Sequence, residues 1–213
     1  MKGLLWKDFY MAARYCRAFL VMVAVFLGIS FFGDDNLFFI LYPMLIAGII
    51  PMSLISYDDR DKWNQYSGAL PYSRAQLVSC KYLIGLGFGG VVFVLSLAAT
   101  AGRMAIKGYF SWTEFFFMAT FLLIVGLLGP SLLLPFVFKF GAEKGRIGFY
   151  VMIGLVCAVG AFLTGVGIQT NFGTESLLAG AGFPVMGILW VVMIGLYLLS
   201  WKLSIAFYQK REL

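Results

Sequence analysis

The residues of this sequence that could do chemistry are charged, and they lie between six long apolar stretches. None of these stretches contains Asp, Glu, Lys or Arg, and the chain has no histidine. Proton and ion carriers use such residues inside their membrane spans, and hydrolases use them as bases or metal ligands. The sequence therefore argues against a proton-coupled carrier and an intramembrane hydrolase or metalloprotease. It predicts no catalytic residue and no metal site.

Glycine motifs give no nucleotide site either. Residues 85–90 (GLGFGG) satisfy G-x-G-x-x-G, but they lie inside an apolar stretch with no strand before them, so the dinucleotide fingerprint lacks its context. Gly85 and Gly89 also form G-x-x-x-G, which favours close packing of a neighbouring helix. The phosphate-binding pattern G-x-x-x-x-G-K-[ST] does not occur. We expect no cofactor on this chain; if ATP is used, a partner binds it with its Mg²⁺.

The polar segment 56–81 carries its own helix signals. Asp58, Asp59 and Asp61 are placed for the first turn of a short helix, where the helix dipole favours anions. Pro71 stops that helix, and residues 73–76 (SRAQ) form a capping box that begins the next one. The pattern predicts a short transverse helix within 58–71, followed by a helix that runs into the third apolar stretch.

An aromatic stripe on this short helix predicts a docking surface. Trp63, Tyr66 and Leu70 recur at i, i+3 and i+7, so they would share one face. Such a stripe, flanked by charges, suits a groove on another protein. The alternative is that it lies on lipid headgroups, but three aspartates against Arg60 and Lys62 would be repelled by an anionic leaflet. The balance favours a protein partner.

The six apolar stretches are the elements that must position these segments. They cover residues 18–33, 37–57, 82–102, 115–138, 147–168 and 184–201. A helix needs roughly 17–25 apolar residues to cross a bilayer. The pattern predicts an all-α integral membrane protein in which residues 1–213 form a single transmembrane domain of six helices.

The basic residues predict how these helices are oriented. Of 16 Lys and Arg, 14 lie in the termini and in the segments after even-numbered stretches, and only Arg103 and Lys107 lie on the other side. Cytoplasmic loops carry an excess of Lys and Arg, so we expect both termini in the cytosol. The net charge of +6 is then explained by membrane topology and anionic lipid, and nucleic acid is not an expected partner.

The N-terminal residues 2–15 predict an amphipathic helix lying in the cytosolic interface, although an ordinary basic flank of the first span is the alternative. Its expected membrane-interface anchors, which reach into the start of the first span, are Trp6, Lys7, Arg14 and Arg17.

Two further features concern the spans and the outer side. Pro43 and Pro51 are expected to break the second span, and Pro130 and Pro135 the fourth. The Gly-rich, semi-polar segment 169–183 is predicted to be a short re-entrant or surface piece on the outer leaflet.

Two polar segments carry a family resemblance. The run Asp58-Asp59-Arg60…Trp63…Ala69-Leu70-Pro71…Ser73-Arg74…Lys81-Tyr82-Leu83 resembles the first cytosolic loop of bacterial ABC-2 type permeases, the membrane subunits of ABC exporters. Residues 139–146 (KFGAEKGR) resemble the loop between their fourth and fifth spans. The interfacial helix, the six spans and the outer segment extend the resemblance over the full length. Within this group, the chain is most similar to permeases that export amphipathic peptides, such as phenol-soluble modulin exporters.

The resemblance implies a fold and a mechanism. The fold is that of ABC-2, or type V, exporters, with a coupling helix at about Asp59–Leu70 seated in a separate ATPase that carries ATP and Mg²⁺. A second permease chain, identical or paralogous, would complete a peptide exporter of the bacterial plasma membrane. The implied ATPase contacts are Asp58, Asp59, Arg60, Trp63, Tyr66, Leu70, Pro71, Ser73, Arg74, Lys139, Glu143, Lys144 and Arg146. The substrate-binding residues are not identified.

Two other function classes remain open. A non-transporting membrane subunit, for toxin immunity or sensing, would bind the peptide or the ATPase without moving substrate. A Na⁺-coupled carrier would use backbone carbonyls at broken helices, but the two halves of the sequence show no detectable repeat.

Overall fold

The computed structural model is entirely helical over the residues it describes, which are 2–15, 17–31, 37–63, 66, 72–108, 110–141 and 182–210. The helices are α1 (Lys2–Tyr15), α2 (Arg17–Ile29), α3 (Leu37–Arg60), α4 (Arg74–Ile106), α5 (Trp112–Phe140) and α6 (Gly182–Lys210). The predicted span 147–168 lies outside the described residues, as does the outer segment 169–183 except for its last two residues, which begin α6.

Four of the helices, α3 to α6, are long and apolar enough to cross a membrane. The shorter α1 and α2 meet at an angle of 65° and together make a fifth candidate span. The four long helices contain the second, third, fourth and sixth predicted spans. This agrees with an integral membrane protein. The fifth candidate differs from the prediction, because it counts α1 and α2 as one bent span, whereas the sequence predicted a first span over 18–33 and a separate helix over 2–15.

The helices are arranged so that the bundle has two different ends. From α2 to α5, successive helices run in opposite directions. Helices α5 and α6 run in the same direction: Trp190 of α6 bonds to Thr120 of α5 near the beginning of both helices, and Phe138 of α5 packs on Tyr208 of α6 near the end of both. A parallel pair is what the prediction of one span between them requires. We call the end formed by α1, the last turn of α3, the first turns of α4 and the last turns of α5 and α6 the basic end.

The membrane helices run through their prolines. Helix α3 continues past Pro43 and Pro51, and α5 past Pro130 and Pro135. The prediction that these residues break the spans is therefore wrong. A proline inside a helix removes one backbone hydrogen bond, so other contacts must offset that loss.

Two of the prolines pack into spaces left by glycines of a neighbouring helix. An ideal Cβ added to Gly48 of α3 would lie 3.3 Å from Pro130 Cδ, and one added to Gly85 of α4 would lie 2.7 Å from Pro51 Cγ. The absence of a side chain at each glycine lets the two backbones approach closely. Each of these two prolines therefore loses one backbone hydrogen bond but packs closely against a glycine of the neighbouring helix.

Replacing Gly85 with alanine should lower stability by about 1–3 kcal/mol, the usual cost of forcing an extra methyl group into a packed core. The reason is that the ring of Pro51 is fixed to its helix and cannot swing away. The matched change Gly89→Ala should be neutral or slightly stabilising, since its Cβ would meet no described atom within 4 Å and alanine favours helix. Thermal unfolding of the purified protein in detergent measures both. Equal unfolding temperatures would contradict the close contact of α3 with α4.

The start of α4 follows the sequence prediction. Ser73 Oγ accepts a hydrogen bond from the Gln76 backbone N–H at 3.3 Å, and the Ser73 N–H donates to Gln76 Oε1 at 3.1 Å. This is the predicted capping box, and from it α4 runs 33 residues without interruption. The capping box therefore fixes Ser73 at the start of a long apolar helix.

The end of α3 requires a correction. Helix α3 continues to Arg60, so Asp58 and Asp59 lie in its last turn and not in the first turn of a separate short helix. The chain turns at Asp61 and Lys62, where Lys62 has a φ of +53°. Acidic residues are unfavourable at a helix C-terminus. For Asp58, that cost is offset by two lysines.

Candidate functional site at the basic end

Four buried or half-buried charges join three helices at the basic end. Asp8 Oδ1 of α1 lies 2.9 Å from Lys81 Nζ of α4, and Asp58 of α3 lies 2.5 Å from Lys81 and 2.7 Å from Lys7. Lys7 Nζ is also 3.5 Å from Asp8. We call Lys7, Asp8, Asp58 and Lys81 the charge cluster. It fixes helix α1 to the end of α3 and the start of α4.

The charge cluster is balanced, and its composition explains why it can be buried. Asp8 is fully buried, and Asp58 and Lys81 are nearly so. An isolated buried charge is expensive, whereas a buried charge with opposite partners and hydrogen bonds is tolerated. Each carboxylate here has two lysine partners, and Cys80 Sγ also donates to Asp8 Oδ2 at 3.3 Å. Removing one member would leave another short of a partner.

The charge cluster continues into the turn after α3 through Trp63. Lys7 Nζ lies 3.8 Å from the centre of the Trp63 ring, a cation–π contact. Trp63 and Tyr66 have ring centres 5.8 Å apart, and the Tyr66 side chain is 65% exposed. The predicted stripe is therefore divided. Trp63 is half-buried against Lys7, while Tyr66 points outward.

The segment that returns from this turn also contacts α1. An ideal Cβ on Gly3 would lie 3.5 Å from the Tyr72 hydroxyl oxygen. The partly buried Tyr72 ring packs against a core that includes Leu4 and Leu54. Helix α1 thus contacts Trp63, shortly after the end of α3, and Tyr72, shortly before the start of α4.

The predicted ATPase contacts fall into three groups in the structure. Arg60, Ser73, Arg74 and Lys139 are exposed, and Asp59 is partly exposed. Trp63 is half-buried and Tyr66 is exposed, as described above. Five further members, Leu70, Pro71, Glu143, Lys144 and Arg146, lie outside the described residues. Asp58 requires a correction. It is 5% exposed and is bound to Lys7 and Lys81, so it lies beneath the exposed residues and is not part of the surface.

Two exposed basic residues connect the ends of the long helices. Arg74 Nη1 donates to the Gln209 carbonyl oxygen at 2.9 Å, which ties the first turn of α4 to the last turn of α6. Lys139 Nζ lies 5.0 Å from the ring centre of Phe140 and 5.2 Å from that of Phe207. The ends of α4, α5 and α6 therefore form one connected surface beside the turn.

The predicted membrane anchors on and after α1 also differ among themselves. Trp6 is 70% exposed, and Arg14 and Arg17 are exposed too, as an interfacial role requires. Lys7 differs, because its ammonium group is bound to Asp58 and Trp63. The sequence assigned Lys7 to lipid headgroups, whereas the structure places it inside the chain's own charge cluster.

In the described part of the chain, no group of three or more His, Cys, Asp or Glu residues could hold a metal ion. A family model described as "ABC-2 family transporter protein" matches residues 3–209. The chain belongs to this family. No curated protein matches the sequence.

Family membership settles the general role of the chain. An ABC-2 permease is a membrane transport component and not itself catalytic, and the family implies an ABC ATPase as partner. The apolar helices agree with this role.

A buried hydroxyl network in the permease was missed by sequence reasoning. Ser200 Oγ of α6 donates to the Ser131 carbonyl oxygen at 2.6 Å, and Tyr82 Oη lies 2.8 Å from Ser200 Oγ and 2.7 Å from Ser204 Oγ. Since Ser200 donates to the carbonyl, it accepts from Tyr82, which in turn accepts from Ser204. The Ser131 carbonyl lies four residues before Pro135, so it is the one that Pro135 leaves without a helix donor. The four-residue spacing of Ser131 and Pro135 is the feature of the sequence that could have predicted a carbonyl in need of a partner.

The Ser200 hydroxyl should therefore contribute more to stability when residue 135 is proline than when it is alanine. Ser200→Ala should destabilise the permease by about 0.6–1.7 kcal/mol, the range for hydrogen bonds between membrane helices. In a Pro135→Ala background, the restored N–H can bond to Ser131, so the same change should cost less. Ser204→Ala is the control, since it loses only the Tyr82 contact and should cost the same in both backgrounds. Thermal unfolding of the three single variants and the two double variants measures the difference.

An apolar cavity of about 190 Å³ lies among α3, α4, α5 and α6. Its lining includes Gly85, Gly89 and Gly90 of α4, together with Phe93 and Tyr197. Gly89, predicted as a packing residue, faces this space, whereas Gly85 contacts Pro51. The lining is mostly apolar.

Proposed function

We propose that this chain is the permease subunit of an ATP-driven exporter in the bacterial cytoplasmic membrane, with both termini cytosolic. A separate ATPase, carrying ATP and Mg²⁺, docks on the basic end. The observation that carries this proposal is a group of exposed residues after the end of α3, Arg60, Asp61, Lys62 and Tyr66, connected through Trp63 to the charge cluster. We call these four residues the docking turn. Family membership supports the permease role, and the excess of basic residues at this end supports its cytosolic placement.

The turn has the chemistry of a docking surface. Arg60, Asp61 and Lys62 are exposed and of mixed sign, and the exposed aromatic ring of Tyr66 lies beside them. Interfaces are enriched in tyrosine and arginine at their energetic centres. A docking residue is most effective when its support is rigid, and here the support is the charge cluster with Trp63.

The same geometry gives the docking surface a mechanical connection to the membrane. Helix α3 ends at the turn, and α4 begins at its other side and runs 33 residues through the apolar region. Arg74 adds a hydrogen bond to the end of α6. A displacement of the turn by the ATPase would therefore move three membrane helices and change access to the transport pathway.

The proposed transported substrate is an amphipathic or hydrophobic peptide, exported between two permease chains that are identical or paralogous. The apolar stretches contain no charged residue that could bind an ionic substrate. The glycine-lined cavity of about 190 Å³ supports apolar ligands. Toxin or antimicrobial peptide export, and self-protection against such peptides, fit this substrate class.

Transport in inverted membrane vesicles tests the proposal. Vesicles with the permease and its ATPase should accumulate a fluorescent amphipathic peptide when ATP is supplied, and not with a non-hydrolysable ATP analogue. Accumulation by the permease alone under a Na⁺ gradient would instead indicate an ion-coupled carrier. Peptide or ATPase binding without accumulation would indicate an immunity or sensory subunit.

A further inference from the structure

We propose that the cavity among α3, α4, α5 and α6 binds one aromatic side chain of the transported peptide, and that Met44 and Gly89 set the size of the ring it accepts. This inference rests on the proposed function and deepens it, because it names the part of the substrate that is recognised. None of the described residues that line the cavity is charged. The cavity therefore selects its occupant by shape and apolar contact.

Two glycines of α4 leave the space empty. An ideal Cβ added to Gly85, or to Gly126 of α5, would collide with a side chain of α3, so these two positions are filled by a neighbour. At Gly89 and Gly90, by contrast, an added Cβ would enter open space. An empty apolar cavity destabilises a protein in proportion to its volume. A bound group that fills the space beside Gly89 and Gly90 would offset this cost.

The volume and the lining of the cavity fit one aromatic ring. An engineered apolar cavity of about 150 Å³ binds benzene, and this cavity has a volume of about 190 Å³. Phe93 offers a ring for edge-to-face contact. Met44 offers a sulfur atom, which contacts aromatic rings favourably, on a flexible side chain that adapts to the ring it meets. These contacts favour an aromatic side chain over the acyl chain of a lipid.

The cavity is open on one side and closed by a fixed ring toward the basic end. Leu86 and Gly90, which line it, are exposed, so the space reaches the surface of α4. Tyr197 lies at the basic-end side, where its hydroxyl group donates to the Tyr82 carbonyl oxygen at 2.9 Å. An amphipathic peptide held against α4 can therefore insert one side chain without separating the helices.

Methyl NMR on the permease alone in nanodiscs tests binding without the ATPase. The probe is an amphipathic helical peptide with a single phenylalanine on its apolar face. The reporter is the Met44 methyl group, assigned by its loss in Met44→Ala. The phenylalanine peptide should shift this resonance through its ring current, whereas the same peptide with alanine at that position should not.

Gly89→Leu and Gly87→Leu are a matched pair for this measurement. Gly89→Leu places a side chain in the cavity, so it should abolish the shift. In Gly87→Leu the same side chain enters open space at an exposed position outside the lining, so the shift should remain. Leucine favours helix over glycine, and thermal unfolding shows whether both variants are folded. An equal shift in Gly89→Leu and in the unmodified permease would overturn the inference. Contacts of the Met44 methyl group with lipid chains, without a peptide-induced shift, would identify a lipid as the occupant and also overturn it.

Transport with the ATPase tests whether the cavity selects the substrate. In inverted vesicles, Gly89→Leu should raise the KM of the phenylalanine peptide about tenfold, because the phenyl ring is no longer buried, and should leave that of the alanine peptide unchanged. Met44→Ala enlarges the cavity, so it should lower the KM of a tryptophan peptide relative to the phenylalanine peptide about tenfold. Unchanged ratios in both variants would overturn the inference. If the unmodified permease and its ATPase move no peptide, the proposed function fails, whereas the NMR shift still decides whether the cavity binds an aromatic ring.

Discussion

Replacing Asp8 with asparagine should destabilise the permease by about 3–5 kcal/mol, the cost of removing one partner from a buried ion pair. Asparagine has nearly the same shape, so the change removes charge and little else. It removes the carboxylate 2.9 Å from Lys81, itself 6% exposed, and leaves Lys7 and Lys81 to share the single carboxylate of Asp58. A loss of this size approaches the whole stability of many domains. We therefore expect little monodisperse protein in detergent extracts and a large fall in unfolding temperature.

Adding Lys81→Met to Asp8→Asn should restore much of the stability that Asp8→Asn removes. In Asp8→Asn/Lys81→Met the cluster is neutral again, because Lys7 and Asp58 remain paired at 2.7 Å. The double variant should therefore be more stable than Asp8→Asn alone, although two charged residues have been lost. Asp61→Asn is the control, as Asp61 is exposed, and it should stay within about 0.5 kcal/mol of the unmodified protein. A double variant as unstable as the single one would show that charge imbalance is not the cause.

The features predicted correctly from the sequence depend on residues close together in the chain. The capping box needs only Ser73 and Gln76, three positions apart, and it begins α4 as expected. The apolar stretches of the second, third and fourth spans lie within α3, α4 and α5. Hydropathy and capping are local signals, because each follows from the chemistry of a single helix.

The charge cluster could not be predicted in this way. Asp8 and Lys81 are 73 positions apart, and Asp8 alone is simply a polar residue of an amphipathic helix. For Asp58, the local rule was outweighed by tertiary contacts: an aspartate that suits a helix N-terminus lies at the end of α3, where Lys7 and Lys81 compensate its charge. Buried ion pairs are properties of helix packing, which a single sequence does not display.

The prolines show that contacts between distant segments, which a single sequence does not display, also satisfy the backbone. From the sequence, Pro135 is a lost hydrogen bond and a reason to expect a broken helix. The partner that satisfies the freed carbonyl of Ser131 is Ser200, on a different helix. Pro51, likewise, is accommodated because Gly85 of α4 leaves room for its ring. Only the three-dimensional arrangement reveals these compensations.

Tyr66→Ala should weaken binding of the ATPase by roughly 5- to 30-fold, corresponding to the 1–2 kcal/mol at which an interface residue counts as energetically important. The Tyr66 ring is 65% exposed and is supported by Trp63, so its removal costs the permease little internal packing. The unfolding temperature should therefore change little while affinity falls. Titration of the ATPase onto the permease in nanodiscs measures the affinity, and ATP-dependent peptide uptake by inverted vesicles should fall in parallel.

Tyr10→Ala is the matched control for this prediction. Tyr10 is 67% exposed, almost the same fraction as Tyr66, but it lies on the outer face of α1 with Trp6 and Phe9, which we assign to the lipid interface. Loss of Tyr10 should leave ATPase affinity within about twofold and reduce membrane partitioning of α1 instead. Equal losses of affinity in the two variants would indicate a general response to removing an exposed aromatic ring. Unchanged affinity in Tyr66→Ala would remove the docking turn from the ATPase interface, because Tyr66 is the large exposed aromatic residue of its described part.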